Sequence, residues 1–324
     1  EAALRTVLLD LGLKEAELTD IRKVEGVTWY PGYDCSVWGI DFTGRKDLSG
    51  TLSQSFKELK DLKSLQLSYT KISGDVAVLA NCTKLGSLYL RNTLVSGDLA
   101  ALARTGFLDL SNSKVTGNLG ALNGARLLRA HLSNTRITGD VAVLGTWPSD
   151  VEEVDLSDTE VTGTFHMNSV LKKLEILKLT GTRTKIDIMG GRHSIQCPFP
   201  KMTTLEVSGL ARDASVSQFF APLLFCDHLN SIGAAGCGLT GKVPKTAFPA
   251  GTEYPFDLTH LGGALVFLDL ASNRIDRVDS IPKRLKSLGL AGNRNISFAE
   301  GVLQKAVQDG ILLDMQNVTF TNQT

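Results

Sequence analysis

What this chain lacks narrows it before any motif is read. It has no excess of charge: 34 Lys and Arg stand against 34 Asp and Glu. No global field therefore draws it to nucleic acid or to an anionic membrane, and binding must rest on local patches. No apolar run approaches the roughly 18 residues that a membrane-spanning helix needs. Cysteine is scarce and odd in number, with Cys35, Cys82, Cys197, Cys226 and Cys237. No two of these stand at C-x-x-C spacing, so no zinc site is expected. A Cys197–Cys226 disulfide and plain burial both remain open. Against these absences, apolar residues reach 43% of the 324 positions, enough for a continuous core.

What is present is repetition. LSYTKISGD at 67–75 returns as LRNTLVSGD at 90–98, LSNSKVTGN at 110–118, LSNTRITGD at 132–140 and LSDTEVTGT at 156–164. A wider template, L-x-x-L-x-L, has its second apolar position at Ile40, Leu65, Leu88, Leu108, Ala130, Val154, Leu177, Leu205, Ile232, Leu268, Leu288 and Leu313. Most intervals fall in the range of about 20 to 29 residues typical of leucine-rich repeats. The alternation around each anchor predicts a short strand with its leucines turned inward. One unit cannot bury its apolar side alone, so stacked units are expected to form one parallel sheet on a concave face. The recurring Thr or Ser (Thr70, Thr93, Ser113, Thr135, Thr159, with Thr182 aligned) falls in the turn after the strand. A hydroxyl there both donates and accepts, so the column reads mainly as a buried ladder serving the turn backbone. The glycines at 74, 97, 117, 139, 163 and 241 suit a close approach or a positive φ.

These units resemble the plant-type leucine-rich-repeat subfamily, roughly L-x-x-L-x-L-x-x-N-x-L-x-G-x-I-P, with GLTGKVP at 238–244 the clearest local match. Thr commonly replaces the Asn, and GDVAVL or GDLAAL replaces the last segment, so short convex turns are expected. The N-terminus is similar to that subfamily's cap. Leu4, Val7, Leu8 and Leu11 stand at helical spacing, and Cys35, Trp38, Gly39 and Ile40 match the cap motif. Phe42 stands where a second Cys belongs, so the resemblance implies a cap disulfide lost or re-paired. The expected fold is an α/β repeat: a leucine-rich-repeat solenoid, a curved right-handed superhelix with a parallel concave sheet and an N-terminal helical cap. The cap covers 1–36 and about 12 units cover 37–324, with insertions near 184–200, 212–227 and 244–263. Helical stripes are expected within 214–227 (Phe219, Phe220, Leu223, Leu224) and at 298–309.

The face can be read residue by residue. Its central column runs Gln66, Tyr89, Asp109, His131, Asp155, Lys178, Glu206, Gly233, Asp269, Gly289 and Asp314. Asp109, His131 and Asp155 should align on adjacent strands, flanked by Arg91, Arg129 and Glu153. Three readings stand: a solvent-facing charge ladder, a partner-binding patch whose His responds to pH, and a metal site. We take the partner patch as the candidate site, with no metal and no catalytic residues, since an open sheet neither excludes water nor builds an oxyanion pocket. Tyr89 and Lys178 belong to the same face, as do the outward positions Ser68, Ser111, Ser133 and Ser157. The small-residue strip Gly233, Ala235, Gly236, Ala271, Gly289, Ala291 and Gly292 calls for a bulky cover or a flat partner. Phe248, Tyr254 and Phe256 of the 247–263 insertion are candidates for that cover or for contacts.

The resulting expectation is a non-enzymatic scaffold, without cofactor, that recognises a protein, or a peptide or glycan, and neither nucleic acid nor a spanned membrane. Resemblance implies receptor ectodomains, inhibitors and defence or adhesion proteins, hence a secreted or cell-surface location. Sequons at Asn81, Asn295, Asn317 and Asn322 point the same way. The competing expectation is a structural subunit of a large complex, in an organelle after removal of a targeting peptide. The first residue being Glu1 and the last residues running straight out of a repeat suit a processed or continuing chain.

Overall fold

The computed structural model describes residues 1–31, 36–166, 171–187, 199–210, 215–220 (without the Ser217 side chain), 223, 226–243 and 264–320, and the backbone at 246–247 and 256–257. The chain divides into two compact units, Glu1–Val161 and Thr162–Thr324. Each is a leucine-rich-repeat solenoid.

In the first unit, helix α1 (Ala2–Asp10) buries Leu4, Val7 and Leu8 on the face that the spacing predicts. Strand Val27–Trp29 runs antiparallel to Val37–Asp41. Parallel strands follow at Ser64–Gln66, Ser87–Tyr89, Phe107–Asp109, Arg129–His131 and Glu153–Asp155. Their register pairs Ile40 with Leu65, Leu65 with Leu88, Leu88 with Leu108, Leu108 with Ala130 and Ala130 with Val154. All six anchors are buried, as are Leu67, Leu90, Leu110, Leu132 and Leu156. Phe42, in place of the second cap Cys, is also core; Cys35 lies outside the described residues.

The nine-residue phrase is a strand end, a turn, a second strand and a helix cap in sequence. Its third residue takes positive φ: Tyr69 62°, Asn92 53°, Asn112 57°, Asn134 52° and Asp158 53°. Its fourth is the hydroxyl, buried at the four threonines and half-buried at Ser113. Thr70, Thr93, Thr135 and Thr159 each donate to the carbonyl three residues back at 2.6–2.7 Å. This is the structural ladder that the sequence predicts. Residues five to nine form a second parallel sheet at Ser73–Asp75, Leu94–Asp98, Lys114–Asn118 and Arg136–Asp140, closed by Glu160–Thr162. In the first four copies the ninth residue then caps a short 3-10 helix. Asp75, Asp98, Asn118 and Asp140 accept from Ala77, Ala100, Gly120 and Ala142 N–H, each at 2.8 Å. Such caps explain why GDVAVL replaces the longer family segment: the Asp satisfies an orphan N–H where the backbone turns.

The second unit stacks Ile176–Lys178, Thr204–Glu206, Ser231–Gly233, Phe267–Asp269, Ser287–Gly289 and Leu312–Asp314. Leu177, Leu205, Ile232, Leu268, Leu288 and Leu313 are in register. The turn chemistry changes along it. Thr182 still bonds its own Leu179 carbonyl at 2.7 Å, whereas the Cys237 thiol reaches back to the Val207 carbonyl. Asn273 donates to the Leu270 and Ala234 carbonyls and accepts from Leu239 N–H. Asn293 bonds Leu290, Leu270 and Ile275 in the same manner. The amides therefore link neighbouring repeats, while the threonines close only their own. Helix α2 covers Val216–Phe220 within its apolar stripe, with Phe219, Phe220 and Leu223 buried; Leu224 lies outside the described residues. Helix α3 spans Val302–Gln308 and buries Ala306. Part of the 184–200 segment, expected as a surface loop, is a strand: Lys185–Asp187 pairs with Thr164–His166.

Gly97 and Gly124 separate two reasons for glycine. Both have positive φ, 110° and 82°, but a Cβ on Gly97 would collide with the capping carboxylate of Asp75, whereas one on Gly124 would meet nothing within 4 Å. Gly124→Ala should cost about 1 kcal/mol, for conformation alone. Gly97→Ala should cost about 3 kcal/mol, because it also displaces a cap. Equal losses in urea melts of the two variants would contradict this account of the phrase.

Candidate binding face

The strand register puts Gln66, Tyr89, Asp109, His131 and Asp155 in one column of the first unit. The two aspartates do not turn toward the histidine. Asp109 Oδ1 accepts from Ser111 N–H and Asp155 Oδ1 from Ser157 N–H, both at 3.0 Å. Asp41, Asp269 and Asp314 do the same with the residue two ahead. These carboxylates begin the turn as Asx motifs, and Asp109 is buried in doing so. The Asp–His–Asp contact expected from the alignment is thus replaced by bonds that serve the backbone.

His131 instead meets Glu153, one column over, with Nε2 and Oε2 2.8 Å apart. Glu153 also lies 3.5 Å from Arg129 Nε. Arg129 donates from Nε and Nη2 to a single oxygen of Glu152, at 3.2 and 3.1 Å, and stacks its guanidinium 5.7 Å from the Phe107 ring centre. The hydrogen bond to Glu152 raises the Arg129 pKa further above its ordinary value. Sequence reading did not include Glu152; the paired acids of Glu152-Glu153 opposite a strand bearing Arg129 were the available signal. The cluster is partly exposed, so each ion pair contributes at most about 1 kcal/mol. It offers charge, hydrogen bonds and an aromatic surface on a fixed scaffold.

In the third column, Arg91 is half-buried, makes no ion pair, and has a buried Nε without a partner. Ser68 and Ser111, expected to face outward, are buried, at 6% and 1% exposure. Ser133 and Ser157 are half-buried.

In the second unit, Lys178 pairs in register with Glu206, and Glu206 with Gly233. The small-residue strip has a local cause. The Glu206 carboxylate lies where a Cβ on Gly233 would be, and the Asp269 carboxylate does the same at Gly289. The side chain of the preceding strand fills these two positions. Burial raises the Glu206 pKa, against a 3.4 Å bond from the Ser231 hydroxyl and the nearby Lys178. Phe248 and Tyr254 lie outside the described residues, and Phe256 is described only as backbone in the strand Phe256–Asp257. Burial pushes the Cys82 thiol up to about 11, which keeps it protonated and unreactive. Cys82 and Cys237 are thiols outside any disulfide. Cys226 is disulfide-bonded; its expected partner Cys197 is outside the described residues. Among the described residues, no group of three or more His, Cys, Asp or Glu is placed to hold a metal, and no helix is long and apolar enough to cross a membrane.

No family model matches the chain, and no curated protein matches it in sequence. Solved structures do resemble it. The PEPR1–AtPEP1 complex matches at 21% identity and a TM-score of 0.67, over 92% of this chain and 48% of that one. The Arabidopsis receptor kinase HAESA, with the peptide hormone IDA and the co-receptor SERK1, matches at 18% and 0.60, over 83% and 48%. A plant ice-binding protein matches at 15% and 0.60, over 100% and 97%. The chain spans about half the length of these two receptor structures, 48% in each case. At such identities the likeness is one of fold: a leucine-rich-repeat domain similar to plant receptor ectodomains.

The half-buried Glu206 carries a pH signature. Because its folded pKa is raised above 4.5, the native state keeps a proton that the unfolded chain has lost. Stability should therefore fall as pH rises from 4.5 through the raised value. Glu206→Gln should remove that slope and be at least as stable as the parent near neutrality. Urea midpoints for both proteins from about pH 4 to 8 test this, and identical slopes would refute it.

Proposed function

We propose that this protein is a non-catalytic recognition scaffold that binds a protein or peptide partner through the face built by Ser87–Tyr89, Phe107–Asp109, Arg129–His131 and Glu153–Asp155. The observation that carries the reading is the Phe107–Arg129–Glu153–His131 cluster. Its charges are bonded to one another and stay half-exposed or exposed, whereas the neighbouring Asp109 and Asp155 are consumed by the backbone. Charge and aromatic area held rigidly on a sheet give register and specificity at little entropic cost. Tyr89 and Arg91 extend the face; in the second unit, Lys178 and the 247–263 insertion are separate candidate contacts. Likeness to receptor structures solved with a peptide hormone or with PEPR1's AtPEP1 supports this class of ligand.

An extracellular location accompanies this reading, supported by the disulfide at Cys226 and by exposed sequons at Asn81 and Asn295. The likeness to an ice-binding protein is not extended to this chain. The exposed Thr116 and Thr138 stand between Lys114 and Arg136 on one side and Asn118 and Asp140 on the other, so the hydroxyl row of the second sheet is bordered by charged and amide side chains.

The partner recovered by affinity capture of the native chain supplies the assay. Replacing Arg129, His131 and Glu153 together by Ala should weaken its binding by about tenfold or more while the melting temperature changes little. Unchanged affinity would refute the face as the binding site. Replacing Asp109 and Asp155 by Ala should mainly lower stability, by about 1 kcal/mol each.

A further inference from the structure

We propose that Arg91 and Ser111 form a subsite for a carboxylate, supplied by an acidic side chain of the partner. The assignment rests on the reading that this face of the first unit meets a partner. Among the described residues, four buried side-chain polar atoms lack any hydrogen-bond partner: Trp29 Nε1, Trp147 Nε1, Arg91 Nε and Ser111 Oγ. The last two are neighbours. Asn92 N–H donates to the Ser111 carbonyl at 2.9 Å, so the strand ends that carry Arg91 and Ser111 lie side by side. Orphaned buried donors are uncommon and unfavourable, and two at adjacent positions of one column share a remedy.

The surrounding groups are already committed. The Ser68 hydroxyl accepts from Arg91 N–H at 3.2 Å. The Asp109 carboxylate, the nearest acid in the adjoining column, accepts from Ser111 N–H at 3.0 Å and makes no ion pair with Arg91. The guanidinium keeps its full positive charge with no counter-ion, beside a hydroxyl with a proton to give. Tyr89, half-buried at the end of the strand that leads into Arg91, borders the position.

Charge and shape select the ligand. A guanidinium presents parallel N–H donors that match the two oxygens of a planar carboxylate. There is one uncompensated cation, and Asp109 stands close by, so a singly charged group is balanced whereas a dianion is repelled. Both atoms are buried at rest, so a carboxylate reaches the Arg91 fork and the Ser111 hydroxyl, and satisfies both orphans, only once the guanidinium turns outward to admit it. A water molecule would relieve the hydrogen bonds but leave the charge uncompensated.

The test needs no partner, so its failure is distinct from failure of the proposed function. The Nε–H resonance of Arg91 is identified in the ¹H–¹⁵N spectrum as the one that disappears in Arg91→Lys. It is then followed as sodium acetate, methyl sulfate or dimethyl phosphate is added at constant ionic strength. Acetate should shift it saturably, while the exposed Arg104 shows only a small linear drift. Ser111→Ala, with its fold checked by the unchanged remainder of the spectrum, should weaken the acetate response by about threefold to tenfold. An Arg91 resonance that moves no more than that of Arg104 would overturn the subsite. An undiminished response in Ser111→Ala would overturn the serine's part in it. Saturation by methyl sulfate or dimethyl phosphate at lower concentration than acetate would overturn the choice of carboxylate.

Discussion

A threonine hydroxyl donating to the carbonyl three residues back, at 2.6–2.7 Å in repeat after repeat, is the bond around which these repeats are arranged. A chain leaving the main sheet must turn sharply while its backbone groups are sealed from water, and a buried carbonyl left unpaired there costs roughly 1–3 kcal/mol. The hydroxyl pays this debt inside its own turn. Positive φ at the residue before it bends the chain, and the buried Ile72, Val95, Val115 and Ile137 then drop into the core at the entry to the second sheet. The strands, the second sheet and the aspartate caps follow from that one closure.

The same logic divides the charged residues of the face into two kinds. Asp41, Asp109, Asp155, Asp269 and Asp314 hold N–H groups of the turns, so their column is acidic for reasons internal to the chain. Arg129, His131, Glu152 and Glu153 hold only each other. Removing them leaves the backbone satisfied, which makes them the residues free to vary with a partner. Arg91 belongs to neither kind, because no acid among the described residues pairs with it.

Much of this was legible in the sequence, because repetition turns a weak local signal into a strong one. All twelve anchors from Ile40 to Leu313 occupy matching positions on the strands of their own unit, and the Thr column is structural. The site was less legible. Register places Asp109, His131 and Asp155 in a line, but it does not say that an aspartate at a strand end prefers the N–H two residues ahead to a histidine on the next strand. The third position of the phrase, with its Asn92, Asn112, Asn134, Asp158 and later Gly181 and Gly209, announces positive φ by residue type; Tyr69 disguises it in the first copy. The glycines at 233 and 289 read as an empty strip because a sequence shows the missing side chain and not the carboxylate from the neighbouring strand that fills its place.

The two ways of closing the turn have a consequence for ancestry. Where threonine closes it, the side-chain bond begins and ends within one copy of the phrase, so a copy lost or duplicated by recombination leaves no orphaned partner behind. Where asparagine closes it, excision severs the Asn273 bonds to Ala234 and Leu239 or the Asn293 bonds to Leu270 and Ile275. The turn-closing bonds of the first unit thus each stay within one copy, whereas the asparagine-closed turns of the second tie each repeat to its neighbour.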